Sequence, residues 1–206
     1  MTLAEQFWQQ NQVGGPFASI EDSEAALEVR LALYPDLYDL MPVRFPGQTI
    51  LDYGCGPGHD TLLFLLHGAH HVYFADVSWL ALQITSDRLD LHHLRDQATG
   101  LLADDSDLPE VDHVHCAGVL HHVVDPIGAL RRMRGALKKG GEARMMVYDG
   151  EMSPHSQSEV PITEWWSHDE FIAIAKEGGF EAEYVGSYPC SAEWRPDCYA
   201  ACYLLK

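Results

Sequence analysis

Residues Ile50–Thr61 read ILDYGCGPGHDT, and no other stretch of the chain restricts its fold so tightly. Ile50, Leu51 and Tyr53 have the β-branched, aliphatic and aromatic character of a strand buried on both faces. Gly54, Gly56 and Gly58 then admit positive φ and let a ligand approach the backbone; Pro57 stiffens the turn, and a helix is expected from about His59. A strand breaking into such a turn and then a helix holds a nucleotide-like ligand. The spacing is not that of a phosphate-binding dinucleotide loop, because the third glycine of GxGxxG would fall on His59 or on Thr61.

With 206 residues, 47% of them hydrophobic, the chain suits one large core and is short for two. One domain spanning residues 1–206 is expected, with 1–46 as a helical cap and 47–206 as the core. The opening MTLAEQFWQQ lacks a basic and then apolar leader, and no window reaches the roughly 18 apolar residues of a membrane span. A cytoplasmic protein with no membrane partner is therefore expected. Five cysteines, Cys55, Cys116, Cys190, Cys198 and Cys202, are an odd number scattered along the chain and read as free thiols.

The formal charge of −18 repels a phosphate backbone, which argues against nucleic acid as partner or substrate. The one basic cluster, Arg131, Arg132, Arg134, Lys138 and Lys139, has helical spacing that turns it largely to solvent rather than into a binding surface.

GxGxG with Asp52 two positions ahead of it resembles motif I of the class I S-adenosylmethionine-dependent methyltransferases. Their ligand has no phosphate and carries a cationic sulfonium, so a nearby carboxylate suits it. Four further stretches match the same family in order. HHVYFADVS (70–78) is similar to its second strand, ending in Asp76, whose carboxylate would accept the ribose hydroxyls. In LLADDSDLP (101–109), Asp104 would accept from the adenine amine and the Asp105 N–H would meet the ring. VDHVHCAGVLHHVVDP (111–126) resembles the fourth strand and its exit, where backbone around Cys116, Ala117 and Gly118 would bind the amino-acid end. GALRRMRGALKKGGEARMMVYDGEMS (128–153) looks like the helix, turn and fifth strand that close the core.

The resemblance implies a Rossmann-like α/β sheet of seven strands, the last antiparallel, with helices on both faces and an N-terminal helical cap. Its implied cofactor is S-adenosylmethionine, held by Asp52, Gly54, Cys55, Gly56, Gly58, Asp76, Val77, Asp104, Asp105, Cys116 and Ala117. Glu181–Ser187 and Cys198–Leu205 are the expected closing strands.

Outside the motifs, a helix is expected from about Ser23 to Tyr34, and Phe7, Trp8, Phe17 and Tyr34 are either plain core or the walls of a substrate pocket. Gly150–Ser167 reads as a long loop, with Trp165 and Trp166 either packing it down or anchoring it against the site. Cys198 and Cys202 in CYAAC would lie about 13 Å apart on a strand, too far for a disulfide or a shared ion. His113 and His115 share a strand face, a geometry that serves metal ligands but also buried neutral rings, and no metal is expected.

His121 and His122 follow the fourth strand, where the methyl group should point. His122 is the first candidate for a general base, with His121 beside it and Tyr148 as a second candidate; a turn that merely orients the loop is the competing reading. The sequence thus points to methyl transfer by in-line displacement to a small molecule. The alternatives are an inert S-adenosylmethionine-binding partner or regulatory subunit and a nicotinamide oxidoreductase. The acceptor and the oligomeric state are open.

Overall fold

Thr49–Tyr53 forms β1, and Ile50 to Tyr53 are all buried, as expected for a strand covered on both sides. The computed structural model describes residues 3–11, 14–104, 107–153, 164–190 and 198–206. Helices α1 (Leu3–Gln10), α2 (Ile20–Leu33) and α3 (Pro35–Leu40) precede β1, and α4 (His59–Leu66), β2 (His71–Asp76), α5 (Trp79–Leu91) and β3 (Ala98–Leu102) follow it. Then come β4 (Val111–Ala117), α6 (Pro126–Ala136), β5 (Leu137–Tyr148), α7 (His168–Glu177), β6 (Ala182–Pro189) and β7 (Tyr199–Leu205).

The strands pair in the order β3-β2-β1-β4-β5-β7-β6. β1 to β5 pair in parallel, and β7 runs antiparallel to both β5 and β6. Strand period divides the core cleanly. Ile50, Val72 and Phe74 face Leu62, Phe64, Leu82 and Leu89 of α4 and α5. Leu51, Tyr53, Val114 and Cys116 face the other way, onto Leu130 and Met133 of α6 and Phe171 of α7. A third cluster joins Leu37 and Met41 to Tyr188, Ala200 and Cys202, so α3 rests on the β6–β7 end.

Local rules set the helix ends. α2 begins at Ile20, earlier than the expected Ser23, because Ser19 Oγ accepts the Asp22 N–H at 3.2 Å and caps it. That shift makes Ser23 a buried interior residue. α2 stops at Leu33 because Tyr34 precedes Pro35, which starts α3. α7 opens on a capping box in which Ser167 Oγ accepts the Glu170 N–H and the Glu170 carboxylate accepts the Ser167 N–H.

Arg88 of α5 fixes the N-terminal region to the glycine turn. It is fully buried, donates to Ser23 Oγ and the Ser23 carbonyl at 2.7 Å each and to the Pro57 carbonyl at 3.1 Å, and lies 4.3 Å from the Phe17 ring centre. Burial lowers its pKa to about 10.

His113 and His115 lie on the α4 face. His113 stacks on Phe45 at 4.0 Å with its Nε2 unpartnered among the described residues, and burial holds its pKa well below the usual histidine range. The neutral ring expected there is present, but without the expected hydrogen bond. His115 does have one, to Asp60. Among the described residues no three His, Cys, Asp or Glu side chains converge as metal ligands. Cys198 and Cys202 are both buried, Cys202 within β7 and Cys198 just ahead of it.

Candidate active site

The carboxyl ends of β1, β2 and β4 open into a cavity of about 1500 Å³, and α1 and α2 form its opposite wall. Parallel sheets gather ligands at this end because the turns that follow the strands present free backbone groups there.

The floor is the Gly54–Gly58 turn. The N–H groups of Gly54 and Cys55 both donate to the Ala75 carbonyl, at 2.7 and 3.0 Å, locking the turn to β2. Gly54 has φ 84°, and a Cβ there would sit 2.1 Å from Val119 Cγ2. Gly56 has φ 52° and nothing within 4 Å of where its Cβ would be, so its open side is cavity. Its N–H donates to Asp76 Oδ2 at 3.0 Å, and Asp76 Oδ1 accepts the Ser78 N–H at 2.8 Å. Burial raises the Asp76 pKa, an effect opposed by the N–H donors of Ser78, Gly56 and Val77.

Residues 51–143 match the methyltransferase domain family. This stretch is a methyltransferase domain. The sheet of the whole chain, with strand order 3-2-1-4-5-7-6 and antiparallel β7, has the class I pattern. The tRNA U34 carboxymethyltransferase of Pseudomonas aeruginosa is 35% identical over 118 residues, 54% of this chain and 36% of that protein. The matched stretch thus spans about a third of that relative. Among solved structures, the [4+2]-cyclase SpnF superposes with a TM-score of 0.67 at 16% identity, covering 95% of this chain and 85% of that one. An S-adenosylmethionine-dependent methyltransferase from Mesorhizobium loti gives 0.62 at 19% identity, covering 85% and 98%. These two likenesses concern the fold.

In the methyltransferase domain, Gly54, Cys55, Gly56, Asp76, Val77, Asp104 and Ala117 all line the cavity. Asp52, Gly58 and Cys116 do not. Asp52 sits behind the turn, where it accepts from Thr61 Oγ1 at 2.5 Å, and burial raises its pKa to about 6. Gly58 has φ 73° and starts α4, with its missing Cβ making room for Thr85. Cys116 points to the α6 face of the sheet, where burial raises its thiol to about 12, while Ala117, Gly118 and Val119 carry the wall. Asp105 lies outside the described residues.

A carboxylate besides Asp76 reaches the cavity beside the turn, that of Asp60, which sequence reasoning missed. Tyr38 Oη donates to its Oδ1 at 2.7 Å, and His115 Nε2 and Arg30 Nη2 lie 3.1 and 3.3 Å from its Oδ2. Burial would raise its pKa, but Arg30 and the hydrogen bonds from His115 and Tyr38 hold it far below the usual carboxylate range. The sequence offered only an acid in the first turn of the expected helix.

His122 and Tyr148 line the cavity, and His121 does not. His121 is fully buried behind Tyr148: its Nδ1 accepts the Tyr148 N–H at 3.3 Å and its ring stacks on Tyr148 at 3.9 Å. Trp165 stacks on Tyr148 at 4.5 Å, whereas Trp166 is buried beside Phe171; residues 154–163 of the expected long loop lie outside the described residues. Trp8 approaches His122 at 5.4 Å, and Gln9 Nε2 donates to the Val77 carbonyl at 2.6 Å, laying α1 across the mouth.

Phe7, Trp8 and Tyr34 line the cavity, while Phe17 packs on Arg88. The basic cluster also divides. Arg131, Arg134 and Lys139 are exposed, as expected for a cluster turned largely to solvent, while Arg131 and Arg132 also line the cavity because α6 starts beside the β4 exit. Arg134 instead donates to the Gly179 carbonyl, and Lys138 pairs with Asp112 at 2.9 Å.

Proposed function

We propose that the chain transfers a methyl group from S-adenosylmethionine to a small-molecule acceptor by in-line displacement, yielding S-adenosylhomocysteine. The observation that carries this reading is the Gly56–Asp76 pair: an open glycine facing the cavity, tied to a carboxylate at the end of β2. The group fits the residues present. Asp76 has lone pairs left for the ribose hydroxyls, Val77 and Ala103 offer apolar surface for the adenine, Asp104 suits its amine, and backbone at Ala117–Val119 meets the amino-acid end. Asp52 contributes from behind, by fixing Thr61 and hence the start of α4.

S-adenosylmethionine supplies a methyl on cationic sulfur, an electrophile that needs no further activation. The protein's work is alignment and exclusion of water. His122 at the cavity wall accepts the proton of an O–H or N–H nucleophile, and His121 positions Tyr148 rather than touching the acceptor.

We read residues 1–46 as a cap on the core within one cytoplasmic domain. Among the described residues no helix is long and apolar enough to cross a membrane. A small acceptor is favoured over nucleic acid by the charge of −18 and by α1 lying across the cavity. A second reading, an RNA acceptor, draws on Arg131 and Arg132 at the rim and on the tRNA-modifying relative.

The test is release of S-adenosylhomocysteine by purified protein supplied with S-adenosylmethionine and either a metabolite extract or total tRNA. Turnover with the extract alone supports the proposal. Turnover with tRNA alone supports the RNA reading, and binding without turnover the inert one. Fluorescence titration showing NAD(P)H binding and no S-adenosylmethionine binding would overturn all three.

A further inference from the structure

The half of the cavity away from the glycine turn has its own chemistry. Val29 and Leu33 of α2 line it and are 58% and 50% exposed, unusual for large apolar side chains on a helix that packs against the core. Leu37, Met146, Tyr34 and Tyr188 continue the wall. Met146 Cε lies 3.4 Å from where a Gly118 Cβ would stand, so this surface runs up to the β4 exit.

A cation faces this apolar surface. Arg30 lines the cavity with its side chain 24% exposed, and its Nε and Nη2 are held by Tyr38 at 2.9 Å and Asp60 at 3.3 Å. Its Nη1 makes no hydrogen bond among the described residues. The guanidinium lies 5.4 Å from the Tyr34 ring centre, which further fixes its plane. Nearby, Tyr188 is 3% exposed and its hydroxyl has no hydrogen-bond partner among the described residues. Burial keeps that hydroxyl protonated and hence a donor.

A wall of aromatic and aliphatic side chains with a guanidinium arm unused among the described residues selects its ligand in two ways. It disfavours ammonium groups, which like the Arg30 Nη1 arm can only donate hydrogen bonds, and highly hydroxylated molecules, whose hydrogen bonds the apolar wall cannot replace. It favours a flat apolar body carrying an oxygen that accepts from Arg30. Because Asp60 already balances the charge of Arg30, a neutral carbonyl or phenol serves as well as a carboxylate.

We propose that the methyl acceptor is an oxygen-substituted aromatic compound, its ring against Tyr34, Leu37 and Met146 and its oxygen on Arg30 Nη1, with Tyr188 as auxiliary donor. This rests on the reading of the glycine-turn half as the S-adenosylmethionine site.

The test is calorimetric titration of the protein saturated with S-adenosylhomocysteine, using 4-hydroxyacetophenone, 4-hydroxybenzoate, benzylamine and glucose. Both oxygenated aromatics are expected to bind at least about tenfold more tightly than benzylamine or glucose. Arg30→Lys, which can still pair with Asp60 but has no second arm, is expected to weaken them about tenfold while changing S-adenosylhomocysteine affinity less than about twofold. Tyr188→Phe removes a hydroxyl that no described residue uses, so it should preserve the melting temperature and weaken the aromatics about threefold. Tighter binding of benzylamine or glucose, no aromatic binding to the saturated protein, or unchanged binding in Arg30→Lys overturns the assignment. If Arg30→Lys does not fold, unchanged binding in Tyr188→Phe overturns it. Failure of the wild type to bind S-adenosylhomocysteine is the separate failure of the cofactor reading.

Discussion

Asp60 Oδ2 lies 3.1 Å from His115 Nε2, joining the first turn of α4 to the central strand β4. Because the same carboxylate accepts from Arg30 of α2 and Tyr38 of α3, this contact is also where the N-terminal cap is fastened to the sheet. A residue on the cavity wall therefore supports both the site and the placing of its lid.

Asp60→Asn removes the only carboxylate bonded to Arg30 among the described residues and leaves that guanidinium, 24% exposed, without its counter-charge. Breaking such a largely buried pair costs about 3 kcal/mol. Urea unfolding is expected to show a lower midpoint. Faster proteolysis of residues 3–40 than of the core is expected alongside.

His113 gives the protein an acid-sensitive core. Its pKa is held well below 6.5 by burial, so the folded state binds fewer protons than the unfolded chain once the pH falls below 6.5. The contribution of His113 to stability is accordingly full above that value and declines beneath it. His113→Phe keeps a ring against Phe45 and removes the titration, so its urea midpoint should fall less than the wild type's between pH 7.5 and 5.5.

Gly54→Ala and Gly56→Ala should behave differently although both glycines have positive φ. At Gly54 the new methyl meets Val119 Cγ2 at 2.1 Å, adding a clash to backbone strain of about 1 kcal/mol, so the melting temperature and S-adenosylmethionine affinity should fall together. At Gly56 the methyl enters open cavity, and calorimetry should show weakened cofactor binding with a smaller loss of stability.

His122→Asn should lower kcat by roughly 10²-fold or more if the acceptor must lose a proton, with little change in cofactor affinity. His121→Ala removes the ring behind Tyr148 rather than a group at the cavity, so it should reduce stability and raise the acceptor KM more than it lowers kcat. Initial-rate kinetics on the two variants separate the roles.

Arg88→Met should destabilise the fold by about 2–4 kcal/mol, since Ser23 and the Pro57 carbonyl lose a donor that water cannot replace. Thermal melting checks it. Its S-adenosylmethionine affinity should fall as well, because Pro57 lies within the glycine turn.

The sequence by itself determined the strand–turn–helix at Ile50–Leu66, the order of strands and helices, the antiparallel last strand and the place of Asp76. The strand–turn–helix follows from rules acting within a few residues, an apolar run ending in glycines that admit positive φ and a Pro-stiffened turn, whereas the order of strands and helices, the antiparallel last strand and the place of Asp76 were legible through the resemblance to a known family. It did not reveal that Asp52 lies behind the turn while Asp60 faces the cavity, because both acids flank the same glycines and only the seating of α4 over β1 and β4 separates them. Nor did it bring Arg30, Tyr148 and Tyr188 into one cavity, or place Arg131 and Arg132 on its lining. Those placements join residues far apart along the chain. No local window encodes them: they were decided when the sheet set the order of its strands and the cap settled on it, choosing which side chains each buried face could accommodate.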